Sequence, residues 1–209
     1  MGPRNGAHVL EQARRLAGDR RLYLTITHFH PEHGFGAQAF KGAATIVYNR
    51  GQRADLRRKG AGYLGMFKGQ SPAVAAELED VELVDPDLVY EGEAEIDLGG
   101  RTVLLREVGP AHTGSDQIVL IDGRVLFAGD LLETRIFPIA PYFPPHDTDV
   151  DGEGWIGGEF DKLSKPYTDP SPASSPTPSS TGGSTHWADR GPLVPWVSGR
   201  APETPSGYL

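Results

Sequence analysis

Within six residues, His28-Phe29-His30-Pro31-Glu32-His33, the chain places three imidazoles and a carboxylate. Neutral imidazole and carboxylate are the ligand types that zinc and related divalent ions accept, and the remaining donors must come from distant positions brought close by folding. An exposed polar turn after a strand would tolerate the same residues, but histidines rarely crowd in this way without a ligand role. Two further candidates are His112, in the loop 109–116, and Asp130, which follows Ala128-Gly129. Each sits in a loop at the end of a strand pattern, where binding groups collect. Taken singly, His112 reads as a turn histidine and Asp130 as a turn or cap residue, so their weight comes from the cluster they accompany.

The elements around the cluster have to aim it. Leu22, Leu24 and Ile26 alternate with Tyr23, Thr25 and Thr27, the period-two pattern of a half-buried strand running into the histidines. A strand continued through His30 sets His28 and His30 on one side of the chain, within reach of one ion. Pro31 biases His30 towards extended geometry and can itself open a helix. Glu32 and His33 then stand at that helix start, facing a second ion, where an acidic side chain is favoured electrostatically.

Elsewhere Val9, Leu10, Ala13 and Leu16 predict a first helix stopped at Gly18-Asp19. Residues 44–48 predict a second strand and a βαβ-like step. Residues 49–69 read as helical pieces broken at Gly60 and Gly62, and Ser71-Pro72 caps another helix reaching about Leu78. Two hairpins follow, 94–98 with 102–105 around Gly99-Gly100, and 117–121 with 124–128 around Asp122-Gly123. Trp155, Ile156, Phe160 and Leu163 begin one more helix.

A His-x-His-x-acid-His loop after a strand, a Gly-Pro-Ala-His-Thr-Gly-Ser loop and a Phe-Ala-Gly-Asp strand end, in that order, resemble the metallo-β-lactamase superfamily of hydrolases over residues 9–163. The resemblance implies an α+β fold, a partial αββα sandwich with metals at one edge between the sheets. It implies His28, His30 and His112 as ligands of a first metal, Glu32 and His33 as ligands of a second, and Asp130 as the carboxylate bridging both. Glu32 stands where the family usually has aspartate, so it acts either as a ligand or as a proton acceptor. With Asp130 it is the candidate for orienting a metal-bound water.

The family usually has strands before the first helix and a further second-metal histidine in a Gly-His-Gly-like loop near the C-terminus. This chain starts at the helix, and its composition changes after Lys165: residues 166–209 hold half of the 18 prolines. The expectation is a metallo-β-lactamase-like domain over 1–165, shortened at its N-terminus. It is followed by a divergent or frame-shifted Pro/Ser/Gly-rich tail, 166–209, that is disordered. His186 and His146 are the two candidate replacements for the missing histidine. Trp187, Leu193, Val194, Trp196 and Val197 are isolated apolar residues from which no strand is expected.

At 209 residues and 38% hydrophobic content there is chain enough for one domain with a core. The net charge of −8 argues against a nucleic-acid partner, and the arginines at 14, 15, 20 and 21 read as a solvated helix face. There is no cysteine, which excludes disulfides, Cys-ligated zinc and a cysteine nucleophile. No apolar leader or membrane-length stretch is present, so a cytoplasmic protein acting on a small-molecule substrate is expected.

The activity implied is hydrolysis of an ester, thioester, lactone or related carbonyl by a metal-bound hydroxide. The cofactor is zinc, as two ions, or as one if the second set is incomplete; iron and manganese suit the same donors. The alternatives are a truncated metal-binding fragment with weak or no catalysis, and an iron-dependent oxidoreductase on the same scaffold. The aromatic, proline-rich loop 136–145 is either a substrate wall or a packed connection.

Overall fold

The structure, a computed structural model, describes residues 2–136, 138–159 and 187–188. Helix α1 (Pro3–Ala17) opens with proline in its first turn and ends at Gly18, whose φ of 61° suits glycine. Strand β1 (Tyr23–Leu24), the short helix α2 (Pro31–Gly34), a 3-10 turn at Ala37–Phe40 and strand β2 (Thr45–Asn49) follow. Next come helices α3 (Arg50–Lys68) and α4 (Pro72–Glu77) and strand β3 (Leu88–Tyr90). β1, β2 and β3 form a parallel sheet in that order.

The second sheet is built from the two predicted hairpins. β4 (Glu93–Asp97), β5 (Thr102–Glu107), β6 (Gln117–Ile121) and β7 (Val125–Phe127) pair antiparallel in sequence order. Asp122 and Gly123 both have positive φ, 52° and 62°, as a two-residue turn matched to strand twist requires. α5 (Gly152–Gly154) runs into a π-helical turn at Trp155–Glu159.

Two core clusters record the layering. Ile46, Tyr48, Leu24 and Ile26 pack with Leu56 and Tyr63 of α3 and with α1 and α4, whereas Val47 turns the other way, to Ile96, Leu98, Val103 and Leu105. Alternation along β2 thus covers one face with helices and the other with the second sheet. The fold is α+β, layered helices, sheet, sheet.

Three sequence expectations need correction. The strand entering the histidine loop stops at Leu24, because the carbonyls beyond it are taken elsewhere: Ile26 O by Gln52 Nε2 at 2.9 Å and Thr27 O by Gln117 N at 2.8 Å. α3 runs unbroken through Gly60 and Gly62. Those glycines serve close approach instead, since a Cβ would fall 2.8 Å from Leu83 at position 60 and 2.1 Å from the His146 ring at position 62. α3 opens with a capping box, Asn49 with Gln52. Finally, Trp187–Ala188 forms a two-residue strand, β8, parallel to β4 and paired with Ile96 and Asp97. The remainder of the tail, including the disorder expected of it, lies outside the described residues.

Candidate metal centre

Residues 25–27 cross from one sheet to the other. Besides the bond to Thr27 O, Gln117 binds Thr25 Oγ1 through Nε2 at 2.8 Å, so the first residue of β6 pins the segment that delivers His28 to the seam between the sheets. His28, Phe29 and His30 are buried; Phe29 points into the helical core and the two histidines do not. His30 is extended (φ −124°, ψ 160°) and precedes α2, as Pro31 dictates. α2 then carries His33 back over the site, its ring 4.3 Å from that of His28.

His112 arrives from the second sheet. Its loop is folded on the Asp116 carboxylate, which accepts from Ala111 N at 3.1 Å, Thr113 N at 2.9 Å and Thr113 Oγ1 at 2.9 Å. Asp130 lies on the 3-10 turn Gly129–Leu131 after β7. Gly129 has φ 57°, and a Cβ there would stand 2.4 Å from Thr27 Oγ1, so glycine is what lets this turn pass beside the histidine segment. Trp155 braces the floor, its Nε1 donating to Leu131 O at 3.2 Å and its ring set edge-to-face with His112 at 5.7 Å.

The donor atoms converge in two groups, His28 with His30 and His112, and His28 with His33 and Asp130. In the first, His28 Nε2 and His112 Nε2 lie 3.0 and 3.2 Å from His30 Nδ1. A tetrahedral ion with Zn–N bonds of about 2.0–2.1 Å holds its ligand atoms about 3.3 Å apart.

The far nitrogens fix the tautomers. Asp147 Oδ2, 3.0 Å from His30 Nε2, and the Ile139 carbonyl, 2.7 Å from His112 Nδ1, can only accept when the carboxylate is ionised, so both rings donate outwards. Their inner nitrogens, His30 Nδ1 and His112 Nε2, are therefore acceptors facing one another, a pairing that needs a proton or a metal cation between them.

Electrostatics agree. Burial, followed by the neighbouring His33, His30 and His112, pushes His28 well below its ordinary pKa, and burial likewise lowers His112. Both rings are thus neutral, the form that binds metal. Burial opposes protonation of His30 too, but the hydrogen bond and charge of Asp147 outweigh it and raise its pKa.

In the second group Asp130 stands 3.7 Å from His33 Nε2 and, through its other oxygen, 3.7 Å from His112 and 3.9 Å from His28. Burial pushes its carboxyl up, yet the surrounding histidines, His33 foremost, hold it below the usual carboxylate range. His33 Nε2 is buried and makes no hydrogen bond, an orphaned donor atom that a second cation beside Asp130 would satisfy. These residues fit one imidazole-bound divalent ion and part of a second site.

Of the residues singled out from sequence, the structure brings together His28, His30, His33, His112 and Asp130. Glu32 is exposed on α2 and belongs to neither group. His146 packs instead against Tyr63, ring centres 5.9 Å apart, and His186 lies outside the described residues. Asp147 was missed. It follows His146 in a proline-rich loop, and nothing local distinguishes it from a turn aspartate. Lys59 was missed because Asp55-x-x-x-Lys59 has the spacing of a solvated helix pair.

A solved structure shares this fold, and a second is similar in part. The metallo-beta-lactamase IND-7 superimposes with a TM-score of 0.54 at 14% identity, covering 77% of this chain and 64% of that one. A metallo-beta-lactamase from Pontibacter korlensis gives 0.47 at 17% identity, covering 69% and 58%. The chain thus spans about three fifths of the length of these structures. No curated protein matches it. The profile of the metallo-beta-lactamase superfamily matches residues 1–190, and the chain belongs to that superfamily.

Proposed function

We propose that this chain is a metal-dependent hydrolase acting on an ester, thioester, lactone or related carbonyl compound, with zinc as its ion. The observation that carries the reading is the convergence of His28 Nε2, His30 Nδ1 and His112 Nε2, with outward hydrogen bonds that leave inward lone pairs on His30 and His112. A divalent ion held there polarises a carbonyl and lowers the pKa of water from 15.7 to near 7. His28, His30 and His112 would hold the first ion. His33 and Asp130 would hold the second, with Asp130 facing both groups.

Asp130 also has the position of a proton acceptor at the open side of the three histidines, a role that its depressed pKa keeps available at neutral pH.

The loop 136–145 supplies a wall. Its Ile139 carbonyl accepts from His112 Nδ1, and its Ile136, Ile139, Tyr142 and Phe143 side chains are exposed. Among the described residues no helix is long and apolar enough to cross a membrane.

The test is elemental analysis of the purified, zinc-reconstituted chain with His28→Ala and Asp130→Ala variants, alongside turnover of ester, thioester and lactone panels. One or two ions per chain with metal-dependent hydrolysis, lost on His28→Ala, supports the reading. Unchanged metal content in both variants, or no turnover in a metal-loaded chain, sinks it.

A further inference from the structure

The most deeply buried cation of the described residues has no part in the site as described so far. Lys59, in the middle of α3, has a side chain only 1% exposed. Lysine is almost never buried to this degree without ionic partners. Its Nζ lies 2.8 Å from both oxygens of Asp149, 3.4 Å from Asp147 Oδ1 and 3.7 Å from Asp55 Oδ1. The other oxygen of Asp147 accepts from His30 Nε2 at 3.0 Å. Asp147 is therefore gripped at both ends, by the ammonium of Lys59 and by the imidazole of a metal-site histidine. Arg58 is a second cation in the same cluster, bound to Asp55 at 2.6 Å and Asp149 at 2.9 Å, but directed to these two carboxylates.

We propose that Lys59 is a positioning residue of the metal centre: by fixing Asp147 it sets the orientation of the His30 ring, and with it the affinity and ligand field of a divalent ion at His28, His30 and His112. The proposal rests on the reading that these three histidines hold an ion. A carboxylate bound at one oxygen can swing about its Cβ–Cγ bond; a cation on the second oxygen fixes its plane, and the plane fixes the donor ring. Lys59 also neutralises Asp147 and Asp149 together. Without it two aspartates sharing a partly buried site repel, and segment 147–149 relaxes towards solvent, drawing Asp147 away from His30. Outer-shell partners of ligating histidines commonly change metal affinity by about 10- to 100-fold, and Lys59, one bond further out, belongs near the tenfold end.

The experiment measures Zn(II) affinity by chelator competition and the visible absorption of the Co(II)-substituted chain, for wild type, Lys59→Met and Arg58→Met, well below each protein's melting temperature. The expected result is about tenfold weaker Zn(II) binding and a displaced Co(II) band in K59M, with R58M within twofold of wild type and spectrally unchanged. A purely structural role for Lys59 would lower the melting temperature and leave both metal readouts alone; that result overturns the proposal, as does an equal effect of R58M. Should K59M fail to fold, Lys59→Gln, which keeps a polar side chain in the buried position but removes the cation and is too short to reach Asp147, carries the same thresholds. If wild type binds neither metal, the reading of the three histidines fails first, and the two failures are separately visible.

Discussion

Asp147 and His30, 117 positions apart, meet through a 3.0 Å hydrogen bond with both side chains buried. The bond presents His30 Nδ1 to His28 and His112. Asp147→Asn leaves the shape nearly unchanged but weakens the acceptor and removes its charge. Zn(II) affinity is expected to fall by about 10- to 100-fold, measured by chelator competition. Wild-type affinity in this variant would show that the carboxylate does not orient the ring.

The same pair predicts a pH dependence. Burial disfavours the His30 cation, but Asp147 more than compensates and raises its pKa, whereas His28 and His112 are lowered. Below its raised pKa, His30 of the metal-free chain therefore carries the proton between the facing nitrogens, and a metal must displace it. Below the raised pKa of His30, binding should release about one proton and strengthen about tenfold per pH unit; above it, binding should level off. Calorimetry at pH 6.5 in two buffers of different ionisation enthalpy reads the proton directly, and no release would contradict the assignment.

Stability of the metal-free chain follows with the opposite sign for each partner. The raised pKa of His30 adds stability that is complete below about pH 6.5 and lost as pH rises through its folded value. Burial pushes Asp147 up, but His30, then Tyr63 and Lys59, hold it below its ordinary value. Its share is therefore present above about pH 4 and lost as pH falls through the folded value. Thermal melts across pH should show the largest contribution between the two, and Asp147→Asn should flatten that profile.

Among the described residues, five of the eleven large apolar side chains that are exposed, Leu132, Ile136, Ile139, Tyr142 and Phe143, fall within twelve positions of the segment whose Ile139 carbonyl binds His112. If that wall contacts substrate, the ratio of kcat/KM for an octanoyl over an acetyl ester should exceed one in the wild type. It should fall about tenfold in an Ile139→Ser, Tyr142→Ser double variant, the loss of roughly one large apolar contact. A ratio indifferent to the substitutions would return the loop to the status of a connection.

Two glycines in helices should respond in opposite directions. A Cβ at Gly6 would stand 2.1 Å from the Gly36 carbonyl oxygen, in backbone that cannot step aside cheaply, whereas at Gly65 it meets nothing within 4 Å. Gly6→Ala is expected to destabilise by about 1–3 kcal/mol despite its better helix propensity. Gly65→Ala should stabilise by roughly 0.5–1 kcal/mol. Chemical denaturation of both variants checks the contrast.

Particular residues mark how far sequence reasoning reached. The Asp122-Gly123 turn, the Ser71 cap and the alternation of Leu22, Leu24 and Ile26 are local patterns, and each appears as read. Gly60 and Gly62 misled because propensity penalises glycine within a helix, while the packing of Leu83 and His146 against those positions favours it. The early end of β1 was hidden because it depends on Gln52 and Gln117, side chains brought in from two other elements.

The sequence by itself determined the donor types and their order. A cluster of His28, His30 and His33, with His112 and Asp130 following at strand ends, suffices to point to the superfamily and to supply the donor types a divalent ion takes, since ligand identity is a property of residue type. Only the tertiary structure decided which donor atoms converge, that Glu32 stays outside both groups, and that Asp147 and Lys59 stand behind His30. Those relations join residues tens of positions apart, and they come from the crossing of two sheets and one helix, geometry to which no local spacing is bound.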